Sequence, residues 1–145
     1  MLENYDQKAR QVIFFAQYEA THCGSHSVKP EHLLLGLIKA DTDLARRIFP
    51  GESSSNNIRQ KVLARTLVTQ KISTLIELPF SDESVQSLNL AAEESKLLSR
   101  KTVGPEDILV GLLRFEKSLA AEILLERGMK VESVRQEVNK RRAET

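Results

Sequence analysis

The sequence predicts an all-α fold, a pseudo-twofold duplication of a four-helix repeat with about eight helices in all. Two observations carry that reading: the chain overlies itself at a constant register, and in each copy the apolar residues recur at the three- and four-residue spacing of one helical face. A third supports it. Aromatic residues make up 5% of the chain and tryptophan is absent, while hydrophobic residues reach 41%, so the core must come from Leu, Ile, Val and Ala packing as aliphatic ridges.

The self-overlap is explicit in the residues. Pro30-Glu31-His32-Leu33-Leu34-Leu35-Gly36-Leu37-Ile38 lies over Pro105-Glu106-Asp107-Ile108-Leu109-Val110-Gly111-Leu112-Leu113, a register of 75 residues. The same register carries Ala16 onto Ala91, Glu19 onto Glu94, Val28 onto Val103, Leu44-Ala45 onto Leu119-Ala120 and Ile48 onto Ile123. With one further residue, Ile58-Arg59-Gln60-Lys61-Val62 falls on Val134-Arg135-Gln136-Glu137-Val138.

In the first copy, Tyr5, Ala9, Val12, Ile13, Ala16, Ala20 and Cys23 line one face of a helix that Gly24 stops. Pro30 opens the second helix, where its missing N–H costs nothing, and Glu31 complements the dipole in the first turn. Leu33, Leu34, Leu37 and Ile38 form its buried face. A short third helix turns Leu44, Ala45 and Ile48 inward and ends near Pro50-Gly51, and the Ser53 to Asn57 run leads into a fourth that buries Ile58 and Val62. The second copy repeats this plan, with Ser81 as N-cap, Asp82 and Glu83 in the first turn, Gly104-Pro105 at the next start and Gly128 as a stop. The resulting division is residues 1–65 as the first repeat, 66–80 as a linker broken by Pro79, and 81–145 as the second repeat, together one domain. Gly36 and Gly111 stand at equivalent points inside helices, where glycine costs ~1 kcal/mol against alanine. Close helix packing at both points would offset that cost.

The charge balance excludes some functions. A net charge of +1 from 21 basic and 20 acidic residues gives no field to gather nucleic acid or anionic lipid. Lys140, Arg141 and Arg142 read as a solvated helix end whose cations suit the negative pole of the helix. One cysteine allows no intramolecular disulfide and fits a reducing compartment. Met1 to Lys8 is polar, without the apolar core of a secretory signal, and no apolar run is long enough to span a bilayer. A cytoplasmic location without membrane contact is expected.

The repeated wording, Pro-Glu-His-Leu-Leu-Leu-Gly-Leu-Ile and Gly-Pro-Glu-Asp-Ile-Leu-Val-Gly-Leu-Leu, resembles the signature of the Clp N-terminal domain family. The flanking Ala16 to Glu19, Ala91 to Glu94 and the two Leu-Ala pairs resemble it too, so the likeness covers nearly the whole chain. The resemblance implies a pair of four-helix repeats that, in ClpA and ClpC unfoldases, sits before the AAA+ ATPase rings and receives adaptors and substrates. None of the six glycines is followed by lysine, so the Walker phosphate loop is missing. A free-standing form is expected, an excised N-domain being the other reading.

Glu31 and Glu106 each open a helix at matching places. One reading is that each simply complements its helix dipole. The resemblance implies another, in which such a glutamate holds the guanidinium of a phosphoarginine while a hydroxyl and amides opening the first helix of a repeat take the phosphate. By position that hydroxyl falls on Asp6 in the first copy and Ser81 in the second. A carboxylate at Asp6 would repel a phosphate dianion, so any such binding is expected in the second copy, around Ser81 and Glu106. His22, Cys23, His26 and His32 lack any zinc spacing and read as surface and helix-end histidines beside a buried cysteine. No metal and no cofactor is expected. Cys23 has no oxyanion turn to serve as a nucleophile, and no enzyme signature is present.

The sequence therefore points to a non-enzymatic binding module of the Clp system, with a Clp ATPase, ClpP, or adaptor and substrate proteins as partners and the groove between the repeats as docking surface. A protein that sequesters adaptors and a sensor of phosphoarginine-marked proteins are the alternatives. Oligomeric state is left open.

Overall fold

A computed structural model describes residues 2–49, 54–66, 68–73 and 76–144. Among these, eight helices follow in the order α1 (Gln7–His22), α2 (Pro30–Ala40), α3 (Thr42–Ile48), α4 (Ser54–Arg65), α5 (Asp82–Leu97), α6 (Pro105–Arg114), α7 (Leu119–Glu126) and α8 (Val131–Ala143). The two sets of four match element by element. Both α1 and α5 run for 16 residues, and no strand lies among the described residues. The expected stop at Pro50-Gly51 and the lead-in at Ser53 fall outside them.

Six of the eight described helices start where a side chain accepts from a free amide or a proline removes one. Asp6 accepts from the Ala9 N–H at 2.8 Å to cap α1, and Ser81 accepts from the Ser84 N–H at 3.2 Å to cap α5. Asp41 and Ser118 do the same for α3 and α7. Such a cap is worth ~1 kcal/mol. After α1 and α7 the chain turns at Gly24 and Gly128, with φ of 73° and 79°, a left-handed backbone that favours glycine.

The core is aliphatic and centred on α2 and α6. Leu33, Leu34, Leu37, Ile108, Leu109 and Leu112 are all fully enclosed. Both helices are buried nearly all round, because α1 or α5 covers one side and the other half of the molecule covers the next. Leu35 is therefore buried as well, while Ile38 and Ile48 sit at the edge of the core, packed against it. Burial beyond a single stripe is what a central helix shows.

Two glycines let the helices approach this closely. A methyl group at Gly36 would overlap the Val12 carbonyl oxygen and lie 2.8 Å from the Ala16 nitrogen. At Gly111 it would overlap the Ser87 carbonyl and lie 2.9 Å from the Ala91 nitrogen. The same two backbone positions are hit in both halves, so the crossing of α1 over α2 is reproduced by α5 over α6.

The outer helices are tied on by buried ion pairs. Glu19 on α1 takes two bonds from the Arg59 guanidinium on α4, at 2.9 and 2.8 Å, and Glu94 on α5 takes two from Arg135 on α8, both at 2.8 Å. The carboxylates are enclosed and the arginines half exposed.

The described part of the connector lies along the end of α1. The Thr69 and Ile72 amides donate to the Cys23 and Thr21 carbonyls, and the Gln17 side chain both accepts from the Leu78 amide and donates to the Leu78 carbonyl. Replacing Gly111 with Ala should lower stability by about 1–3 kcal/mol, because neither neighbour that the methyl meets can move without bending α5. Urea unfolding measures this, and an unchanged midpoint would mean that the two helices do not cross here.

Candidate functional site

The junction between the halves is built by four backbone hydrogen bonds in two equivalent sets. Val28, just before α2, donates to the Pro79 carbonyl at 2.8 Å and accepts from the Ser81 amide at 3.0 Å. Val103, just before α6, donates to the Asn4 carbonyl at 2.8 Å and accepts from the Asp6 amide at 3.0 Å. Tyr5 and Val103, and likewise Val28 and Phe80, thus run parallel for one step. Each set brings the first helix of one half to the second helix of the other.

That crossing redistributes the predicted site residues. Ser81 opens α5 beside the start of α2, which carries Glu31, and not beside Glu106 as the sequence suggested. Asp6 opens α1 beside the start of α6: its Oδ2 and Glu106 Oε1 both border the Gly104 Cα, where a side chain would collide with them. The site pairs are accordingly Ser81 with Glu31 and Asp6 with Glu106. Strand-like pairing between copies has no signature in the helical periodicity of either copy.

The two ends differ in charge. Glu31 is largely buried and takes part in no ion pair among the described residues. Burial pushes its carboxyl above the usual range and Glu83 in the first turn of α5 adds to the rise, against the pull of its own amide and Lys29. Ser81 supplies a hydroxyl that bonds to Ser84 Oγ at 3.2 Å, and Ser84 Oγ donates to the Val28 carbonyl at 2.7 Å.

Glu106, in contrast, meets three guanidinium groups. Arg100 Nη1 lies 2.9 Å from Oε1, Arg141 Nη2 lies 2.8 Å from Oε2, and Arg142 Nη2 lies 3.4 Å from Oε1. Arg141 also reaches the Asp41 carboxylate at 3.0 Å and Asp43 at 3.4 Å. Within the basic cluster at the end of α8, Lys140 and Arg142 are exposed, as expected of a solvated helix end, but Arg141 is not. Arg141 folds back over carboxylates that α3 and α6 hold in place, and those acids draw it more strongly than the C-terminal pole of its own helix.

One residue further into each helix, the copies solve the same problem with different chemistry. The Lys29 N–H donates to His32 Nδ1 at 3.0 Å, and the Gly104 N–H donates to Asp107 Oδ2 at 2.8 Å. His32 is thus wholly buried at its helix start, and its Nε2 meets no hydrogen-bond partner among the described residues. Burial holds its pKa down at about 4 and the nearby Lys29 lowers it further, and a proton on Nδ1 would also break the cap bond. Burial pushes Asp107 up to about 6, while the Gly104 amide and Arg100 pull against it. Of the other residues around the expected cysteine and histidine group, His26 is exposed and His22 partly so, with Nδ1 at 2.9 Å from the Tyr18 carbonyl, and Cys23 is a free thiol buried at the end of α1.

With the two crossed openings in view, the comparisons can be placed. The family model of the Clp repeat (R) N-terminal domain matches residues 4–127 and again 79–143. The chain belongs to the Clp N-terminal domain family. This Clp N-terminal domain is 33% identical over 143 residues to an "ATP-dependent Clp protease ATP-binding subunit ClpA homolog" of Porphyra purpurea, covering 95% of the chain and 17% of that protein. It is 33% identical over 150 residues to "Chaperone protein ClpC2, chloroplastic" of Oryza sativa subsp. japonica, covering 100% of the chain and 16% of that protein. The chain thus spans about a sixth of these curated relatives. Among solved structures, the N-terminal domain of the Arabidopsis thaliana chaperone ClpD superposes with a TM-score of 0.77 at 26% identity, covering 97% of this chain and 96% of that one.

Among the described residues no helix is long and apolar enough to cross a membrane. The His32 geometry carries a pH dependence of stability. Its folded pKa lies below the unfolded value, so the unfolded chain binds the proton first and stability is lost as pH falls from about 6.5 towards 4. His32→Asn keeps an acceptor for the Lys29 amide but does not titrate. Urea midpoints at pH 7 and pH 4 should show the wild type losing on the order of 2–3 kcal/mol more than the variant; equal losses would contradict the assignment.

Proposed function

We propose that this Clp N-terminal domain is a non-enzymatic docking module, which receives adaptors or substrates for a Clp ATPase or binds Clp subunits themselves. The single observation that supports the reading most is the pair of crossed helix openings: family membership supplies the context, and two buried carboxylates, Glu31 and Glu106, stand at matching helix starts of the two halves. The relatives are named as a Clp protease subunit and a chaperone, so the partners are a Clp ATPase, ClpP, or the proteins they process. No P-loop is written in this sequence, so on this reading nucleotide turnover belongs to the partner. A reducing, aqueous compartment such as the cytoplasm fits a chain with one buried free thiol.

A second reading, favoured by the lack of an ion pair at Glu31, is recognition of a phosphorylated guanidinium by the Ser81 and Glu31 end. The carboxylate would take the guanidinium, and the Ser81 hydroxyl with the amides opening α5 would take the phosphate. At the other end the Asp6 carboxylate caps α1 and opposes a phosphate dianion.

The test is capture from a cell extract with the tagged chain, with the bound proteins identified, alongside calorimetric titration with free phosphoarginine. Recovery of Clp ATPase or ClpP subunits, reduced by Glu31→Lys, is the expected result. Recovery of adaptors alone favours sequestration, and heat from phosphoarginine that Ser81→Ala and Glu31→Gln abolish favours the sensor. ATP hydrolysis by the purified chain, or no Clp component and no heat, would overturn the proposal.

A further inference from the structure

Duplication should leave the two crossed helix openings alike, yet one is covered by arginines of the chain itself. Arg141, three residues from the end of the described chain, places its guanidinium between the Glu106, Asp41 and Asp43 carboxylates. Arg142 and Arg100 complete the cover. Among the described residues, Glu31 has no counterpart of this arrangement. Arg65, which stands where Arg141 does one repeat earlier, turns outward to Glu126 at 2.7 and 2.6 Å. Thr66 and Ser25 stand at the places of Arg142 and Arg100, and neither carries a charge.

The bonds to Arg141 are partly desolvated: its side chain is 21% exposed, against 4% for Asp41 and 11% for Glu106. Ion pairs so placed are screened less than surface pairs. They are nevertheless anchored in the last turn of α8, and helix ends fray at low cost.

We propose that the end of α8 is a built-in plug: Arg141 is an internal occupant of the Glu106 cradle, and an arginine side chain of a partner reaches Glu106 only by displacing it. This rests on the docking reading above and adds regulation to it. The Glu31 end holds no competing arginine among the described residues, and the Glu106 end is freed of one when the last turn of α8 frays or is pulled away. Exchange of one guanidinium for another conserves the charge and hydrogen bonding of the cradle, so no buried carboxylate is left bare in either state. A partner with two arginines would then engage the ends in sequence, gaining from the effective concentration once the first is bound.

The test uses the full chain, wild type and Arg141→Gln/Arg142→Gln, with N-acetyl-arginine amide as the probe and amide NMR shifts as the readout. Lys29 and Ser81 report on the Glu31 end, and Gly104 and Asp6 on the plugged one. In the wild type the probe should shift the Lys29 and Ser81 amides first; in the double variant the Gly104 and Asp6 amides should respond at about tenfold lower concentration than before. Amide exchange supplies a check that needs no ligand. Glu106→Gln and Arg141→Gln should each speed exchange at residues 140–144, and the two together no more than either alone. Binding at Lys29 and Ser81 without any gain at Gly104 in the double variant, or an α8 end whose exchange ignores Glu106→Gln, overturns the plug and leaves the docking reading standing. No shift at either end in either protein overturns the plug as well, while the docking reading stands or falls on the capture experiment above.

Discussion

The backbone of Val28 and of Val103 each accepts one amide from the opposite half of the molecule and donates one back to it. These four bonds fix where α1 and α5 begin, and with them which capping residue faces which buried glutamate. An amide pair of this kind is modest in strength, on the order of 1 kcal/mol per bond net. Its importance is geometric. With Val28 and Val103 occupying the same register in the two copies, and Asp6 and Ser81 doing likewise, the pairing can only be satisfied reciprocally, and the junction inherits its pseudo-twofold form.

The rest of the architecture supports that junction. Gly36 and Gly111 let α2 and α6 sit hard against α1 and α5, which holds the helix starts at the right height. The Glu19–Arg59 and Glu94–Arg135 pairs clamp the fourth helix of each half to the first. Removing the arginine from such a pair would strand an enclosed carboxylate, whereas the half-exposed arginine can relax into water if its partner is lost. The clamps therefore specify where α4 and α8 lie, and the position of α8 in turn brings Arg141 over Glu106.

Much of this was legible in the residues and some was not. The register of 75 residues and the interior glycines announced the duplication and the crossing points, because helix packing leaves a periodic imprint on sequence. Glu19 with Glu94 and Arg59 with Arg135 were visible as repeated residues, but their union was not, since it joins positions 40 residues apart and 41 apart through tertiary packing. The partnership of Ser81 with Glu31 was misjudged by assuming that each copy completes its own site. His32 was legible as a helix-opening residue, but its complete burial was not. Arg141 looked solvated, since nothing local reveals that Asp41 and Glu106 lie within reach.

Around the helix starts at the junction of the halves, the copies differ in charge. His32 against Asp107, Ser81 against Asp6, and Ser25 against Arg100 are all changes of charge around a conserved geometry of helix starts. The most direct test of the crossed arrangement is a set of proton–proton contacts measured by NMR between the Asp6 amide and Val103 and between the Ser81 amide and Val28. Strong contacts in both pairs are predicted. Contacts instead between Ser81 and Val103, with none to Val28, would contradict the account.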